Sequence, residues 1–505
     1  MSAPLAKQRG FPLPLLASIL FFAGLWLLDF PKPTYDDLFQ AGAAFNLASG
    51  GDYSNPLIAR QEFPSHYFYV YPPLNSFVFA GWLKIFGISA WSVTAYPIIN
   101  CILICGATIW ILRRHQASQW LEWLVPLGVL YGILYLGLRP EPLAVALAMV
   151  GYVLTDTDDA RGIHQFTGLL LIFLGCSAAP RVTLFTAALA GAAGYRAWFR
   201  AKTSQEKSRA ALLWIAALLA SGIIFLILIR FQLAEFLHAF RFHAAGRISQ
   251  GKWKVIWEYL HAYLGYLQWP LLLLPAAMVF WMIKKPKDGL SLPAFFVAAM
   301  VPIAFCTGGI GSATAWWAAL VMLLLAGSLL KSLPKAKATA LQVCIFLILA
   351  AVNRKNFAQC WGLVSGNISK DGGEQLALAK SLPSKAEHPV LVDGWTARYT
   401  YDYRLPPGTI DAEWCERFPG AGPGSYVVPG DPNPQLRKGD IFVVGYYMRH
   451  SLEIYTQLPA STPTQWKAFG MSQFTFERNP RRVYVIPAED CKEVRPEAAM
   501  ALPGN

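Results

Sequence analysis

Residues 207–230 read KSRAALLWIAALLASGIIFLILIR, and this stretch decides the fold class. From Ala211 to Ile229 no side chain is charged. That length approaches the roughly 20 apolar residues a helix needs to cross a bilayer. Working outward, apolar segments recur near 11–28, 91–112, 121–138, 142–154, 165–179, 182–199, 263–283, 291–306, 313–330 and 338–352. With 211–229 they predict about eleven spans. Those at 142–154 and 165–179 are short and read as tilted helices or half-helices lining a cavity. Phe11–Leu28 follows Lys7 and Arg9, as a signal peptide would, but no Ala-x-Ala-like site follows it. It is read as a retained first helix.

Composition agrees. Of 505 residues, 55% are hydrophobic and 14% charged, against roughly 25% charged in soluble domains. The net charge is +13, yet residues 353–505 hold 17 Lys and Arg against 16 Asp and Glu. The basic excess therefore belongs to the apolar part. A nucleic-acid surface should lie on a soluble face, so no nucleic-acid partner is expected. The positive-inside rule accounts for the excess. Arg113-Arg114, Arg196 to Arg209, Lys284-Lys285-Pro286-Lys287 and Lys331 to Lys337 all fall on one side with the N-terminus. That side is read as the cytoplasm, and an odd number of spans puts 353–505 outside.

The expected architecture is an α-helical multi-pass membrane body, 1–352, with long outer loops at 29–90 and 230–262, followed by an extracytoplasmic domain, 353–505. Within the first loop, Leu74–Gly87 is apolar but interrupted by Lys84, and reads as an amphipathic helix in the interface. The tail reads as small α/β. Gly373–Leu382 is helical in pattern, and His388–Asp393, Ile441–Tyr447 and Val483–Ile486 are strand candidates. Of eight cysteines, Cys101, Cys105, Cys176, Cys306 and Cys344 lie in apolar segments as packing residues. Cys360, Cys415 and Cys491 lie in the tail, and Cys415–Cys491 is the favoured disulfide. No Cys-x-x-Cys pair supports zinc or thioredoxin-like chemistry. The short loops point to a bacterial inner membrane.

The first outer loop carries the chemistry. It places Asp36 and Asp37 about eight residues beyond a membrane helix, where reduced dielectric raises a carboxylate pKa and suits a general base. The alternative is that the doublet caps the following helix. Tyr67, Tyr69 and Tyr71 alternate ahead of Pro72-Pro73, either to stack on sugar rings or as an interfacial aromatic belt. His66 is a further candidate contact; neither it nor His243 has metal-ligand spacing. The second loop gathers Arg230, Arg241, His243, Arg247, Lys252 and Lys254, either to hold phosphates or to lie on anionic headgroups.

Three stretches together resemble a known family: Asp37 with its following small-residue helix, then Gly50-Gly51-Asp52-Tyr53, then Tyr71-Pro72-Pro73-Leu74. They look like the GT-C integral-membrane glycosyltransferases, in the branch that uses polyprenyl-phosphate sugars and includes bacterial mannosyl-, arabinosyl- and aminoarabinosyltransferases. Leu138-Arg139-Pro140-Glu141-Pro142-Leu143 falls at an outer hairpin where that family commonly has a second acidic residue, and Ala179-Pro180-Arg181 where a basic one is common. The doublet Asp36-Asp37 departs from the pattern by leaving the base ambiguous.

The resemblance implies inverting transfer of a sugar from a polyprenyl phosphate to a glycan, lipid or protein acceptor at the outer bilayer surface. Asp37 is the expected base, with Asp36 second. Arg139, Arg181, Arg241 and Arg247 are the expected cations for the donor phosphate, although a charged residue at a helix end also snorkels to headgroups. Glu141 either positions the acceptor or pairs with Arg139. Tyr69, Tyr71 and His66 are the expected sugar contacts. No cofactor is expected. Asp36, Asp37 and Glu141 are the oxygen ligands a divalent ion would have, without a dedicated cage. The alternative class is a transporter or lipid flippase, which calls for two related halves and ionisable residues at mid-membrane. Here the charged residues cluster at helix ends and no halved pattern is visible.

Overall fold

The computed structural model describes residues 12–28, 30, 36–55, 65–132, 138–156, 162–179, 182–248, most of 319–365, and six short strands between 390 and 493. The helices are α1 (Leu13–Leu27), α2 (Asp36–Ala48), α3 (Leu74–Phe86), α4 (Ala90–Arg114), α5 (Gln119–Gly132), α6 (Glu141–Thr155), α7 (Gly162–Ala178), α8 (Thr183–Arg200), α9 (Ser204–Leu228), α10 (Leu233–Ile248), α11 (Lys335–Val352) and α12 (Arg354–Val364). The apolar segments of the sequence return as α1, α4 to α9 and α11. Residues between 319 and 329 are also helical, while 263–283 and 291–306 lie outside the described residues. Among the described residues, Trp91–Arg114, Ser204–Leu228 and Lys335–Val352 are long and apolar enough to cross a membrane. Helices α1, α3, α6 and α7 are apolar but shorter.

The longest helices begin at sequence-encoded caps. Thr203 and Glu206 form a capping box before α9: the Glu206 amide donates to Thr203 Oγ1 (3.1 Å), and Glu206 Oε2 accepts from the Thr203 amide (3.2 Å). Ser89 and Ser92 do the same before α4. Helix α9 then exposes Leu212, Ile215, Leu218, Leu219, Ile223 and Ile227. A stripe this apolar and this open suits lipid rather than water.

The short helices α6 and α7 form the centre. A Cβ on Gly151 would stand 2.4 Å from the Gly168 carbonyl, and one on Gly175 would stand 2.8 Å from the Ala144 carbonyl. Small residues let these backbones touch, which is how membrane helices gain van der Waals contact where lipid removes the hydrophobic drive. At 15 residues α6 is about 22 Å long. It is shorter than the roughly 30 Å hydrocarbon core, and neighbouring helices enclose it.

Polar contacts define two ends. At one, the Tyr96 hydroxyl donates to Asn75 (2.9 Å), and the Asn75 amide donates to the Leu138 carbonyl (3.5 Å), joining the starts of α3, α4 and α6. At the other, His115 lies 2.9 Å from Asp156, which Arg196 also contacts, and Arg113 pairs with Glu122 (2.8 Å). Helices α4 and α6 therefore run parallel, from a loop end to a basic end. Helix α9 returns to the loop end, where the Ile229 carbonyl accepts a bond from Tyr69 (2.9 Å).

Helix α10 was not anticipated within the second loop. Phe236, Ala239 and Phe240 recur at helical spacing, and the first two bury against Tyr69 and its neighbours. In the tail, β1 (Val390–Val392), β2 (Ile410–Asp411), β3 (Ile441–Val444) and β5 (Tyr484–Pro487) form a sheet of order β2-β1-β3-β5. Its first two pairings are parallel and the third antiparallel. Strands β4 (Thr456–Gln457) and β6 (Lys492–Glu493) pair separately. Strands β1, β3 and β5 fall on the three expected strand segments. Gly373–Leu382, Cys415 and Cys491 lie outside the described residues.

Candidate active site at the loop end

The first outer loop is held by its own polar residues. The Asn46 amide donates to the Asp52 carbonyl (3.0 Å) and to Ser54 Oγ (3.1 Å), folding residues 50–54 back on α2. Gly51 passes so close that a Cβ there would lie 2.3 Å from the Asn46 amide oxygen, and Gly50 has a φ of +93°. Ser54 Oγ donates to Asp52 (2.5 Å), and His66 Nε2 lies 2.6 Å from the other carboxylate oxygen. The Ser54 hydroxyl, and then His66, hold the Asp52 carboxyl below its ordinary value.

This loop docks on the segment after α9. The Tyr69 hydroxyl reaches both the Ile229 carbonyl and Gln232 (2.9 Å each). Ser65 donates to Glu235 (2.5 Å), and Arg230 donates to the Tyr67 hydroxyl (2.6 Å) while lying over its ring. Arg230 and Phe231 both have positive φ, at 53° and 60°. Two successive side-chain-bearing residues there store strain that the Tyr67 and Tyr69 contacts hold in place. Burial, and then the nearby Glu235 charge, push the Tyr69 phenol up to about 12, so it stays a donor at neutral pH.

Asp36 and Asp37 form the first turn of α2, where negative charge favours the helix; their side chains lie outside the described residues. Glu141 opens α6, buried, with its Oε2 3.8 Å from Arg139 Nε.

The other candidates are scattered. Arg181 lies outside the described residues, as does the side chain of Arg247 on α10; Arg241, also on α10, is exposed. His66 is exposed and engaged with Asp52. Tyr69 and Tyr71 are buried among Tyr53, Phe68 and Phe236, where they pack the loop rather than offer an open ring face. Sequence reading missed Asp52 as a partner of His66, Asn75 as the link to Leu138, and Arg230, Gln232 and Glu235 as the docking surface. Asn75 directly follows the quoted Tyr-Pro-Pro-Leu motif, which was the one available signal. Among the described residues no group of His, Cys, Asp and Glu could hold a metal ion.

A solved structure similar to this chain is the crystal structure of ArnT from Cupriavidus metallidurans bound to undecaprenyl phosphate. The likeness covers 95% of this chain and 98% of that one at 12% identity, with a TM-score of 0.44. No protein-family profile and no curated protein matches the sequence.

Proposed function

We propose that this membrane protein transfers a sugar from a polyprenyl monophosphate to an acceptor hydroxyl at the loop end, taken as the non-cytoplasmic side in keeping with the positive-inside rule. One observation carries the proposal. Asn75, next to Tyr71-Pro72-Pro73-Leu74, holds the Leu138 carbonyl, so the half-buried Arg139 and the buried Glu141 stand near the first outer loop. Two motifs far apart in sequence and resembling one glycosyltransferase family thus meet at one place.

In this reading Asp37, or Asp36, takes the proton of the acceptor hydroxyl as its oxygen bonds to the anomeric carbon. The bond from that carbon to the phosphate oxygen breaks, and the polyprenyl phosphate leaves as an anion with inversion at carbon. A cation beside the leaving phosphate lowers the barrier, at about 3 kcal/mol for one well-placed contact. Arg139, just before α6, is the candidate, with Arg181 second. Glu141 orients Arg139.

The test incubates purified protein with radiolabelled polyprenyl-phosphate sugars and a membrane extract as acceptor. Wild type should transfer label, and Asp37→Asn or Asp36→Asn should lower transfer roughly a hundredfold or more. Transfer unchanged in both variants removes the base from the mechanism. No transfer from any donor moves the chain to the transporter class.

A further inference from the structure

We propose that α12 is an interfacial helix whose outer face, Phe357, Ala358, Trp361 and Val364, lies against bilayer lipid at the loop end. The helix turns Asn353, Asn356 and Gln359 inward together with Leu363, and Phe357, Trp361 and Val364 outward. Asn353, Asn356 and Gln359 are 0%, 8% and 6% exposed. The Asn353 amide donates to the Leu127 carbonyl (2.9 Å), and the Asn356 amide to the Leu130 carbonyl (3.4 Å) and to Asn353 Oδ1 (3.0 Å). On the opposite side Trp361 is 70% exposed, Val364 60% and Phe357 39%. A helix bathed in water has the reverse pattern.

Two observations make lipid the occupant. First, the outer stripe continues that of α11, where Val343, Phe346 and Leu347 are exposed and Ile345 and Leu349 face the body. Only Asn353 separates the two helices, with φ −85° and ψ 1°, outside the helical region. Helix α11 is itself long and apolar enough to cross the membrane. Second, the spacing of charge fits a bilayer. Lys335 and Arg354 are 19 residues apart. As helix that is about 28 Å, close to the roughly 30 Å hydrocarbon core. Helix α12 thus starts at the far boundary, where Arg354 reaches headgroups and Trp361 is at home. Gln342 donates to Ser118, at the basic-end turn between α4 and α5, while Asn353 and Asn356 reach the last turns of α5. Helix α12 therefore lies farther along α5 from the basic end than Gln342 does, toward the loop end.

The experiment places the photoreactive residue p-benzoylphenylalanine at position 361, and separately at 364, in the full chain. The protein sits in nanodiscs of phosphatidylethanolamine and phosphatidylglycerol, with position 219 on the open face of α9 as reference. After irradiation, mass spectrometry should find lipid adducts at 361 and 364 in yields comparable to position 219. Adducts mainly to residues 366–505, adducts to a second copy, or lipid yields several-fold below the reference would each overturn the proposal. Both positions are well exposed, so neither change should unfold the protein, and unchanged melting would verify this.

Discussion

Arg139 and Glu141 illustrate how a buried charge depends on its partner. Replacing Arg139 by Met leaves the Glu141 carboxylate enclosed at the head of α6. The expected loss is about 3–5 kcal/mol. Glu141→Gln, which keeps a polar side chain without the charge, should cost less, and thermal unfolding in detergent would rank the two. A reversed order would mean that Arg139 is held by other groups. Tyr69→Phe removes a hydroxyl that two acceptors share, for about 1 kcal/mol. Its phenol is raised from 10.0 to about 12 by burial, so the folded state prefers the neutral form. That preference is fully present below pH 10.0 and is lost as pH rises through about 12. Melting followed between those pH values should fall less steeply for Tyr69→Phe than for wild type. Asp52 has the opposite sign. Its carboxyl is lowered from 3.8, so its contribution is present above that pH and lost as pH drops through the lowered folded value. Asp52→Asn should erase that acid-side dependence, and an unaltered acid limb would show that the Ser54 and His66 contacts contribute nothing.

Helices α6 and α7 touch through backbone, and this makes their glycines sensitive to any side chain. Gly151→Val must push a Cβ against the Gly168 carbonyl, a backbone atom with nowhere to go. The expected result is loss of most folded protein, read as the monodisperse fraction in size-exclusion chromatography. Gly222→Val, on the open face of α9 with nothing within 4 Å, is the matched control and should fold normally. The contrast also shows what elements reveal in advance. Helix α9 was legible because its long uncharged apolar run, 211–229, is what a lipid-facing helix requires. Helix α10 was hidden because Glu235, His238, Arg241, His243 and Arg247 interrupt its apolar residues and suggested a loop. Strands β1, β3 and β5 were legible as short β-branched runs, whereas the two-residue strands β2, β4 and β6 carry too little pattern to stand out.

For the whole molecule, the proposed function requires the two ends to face different compartments. A membrane-impermeant thiol reagent should label His66→Cys from one side of sealed vesicles and Lys202→Cys from the other, and labelling of both from the same side would dissolve the proposed site. What the sequence determined alone was the apolar helical body and most of its described helices, because burial in lipid imposes length and apolarity on each segment separately. What only the tertiary structure decided was which residues meet. Tyr67 finds Arg230 and Asn75 finds Leu138 across 163 and 63 residues of chain, and Glu141 gains its enclosure from several helices at once. Such meetings depend on how helices pack against one another, and that packing is set by shape complementarity spread over the body, not by any local pattern.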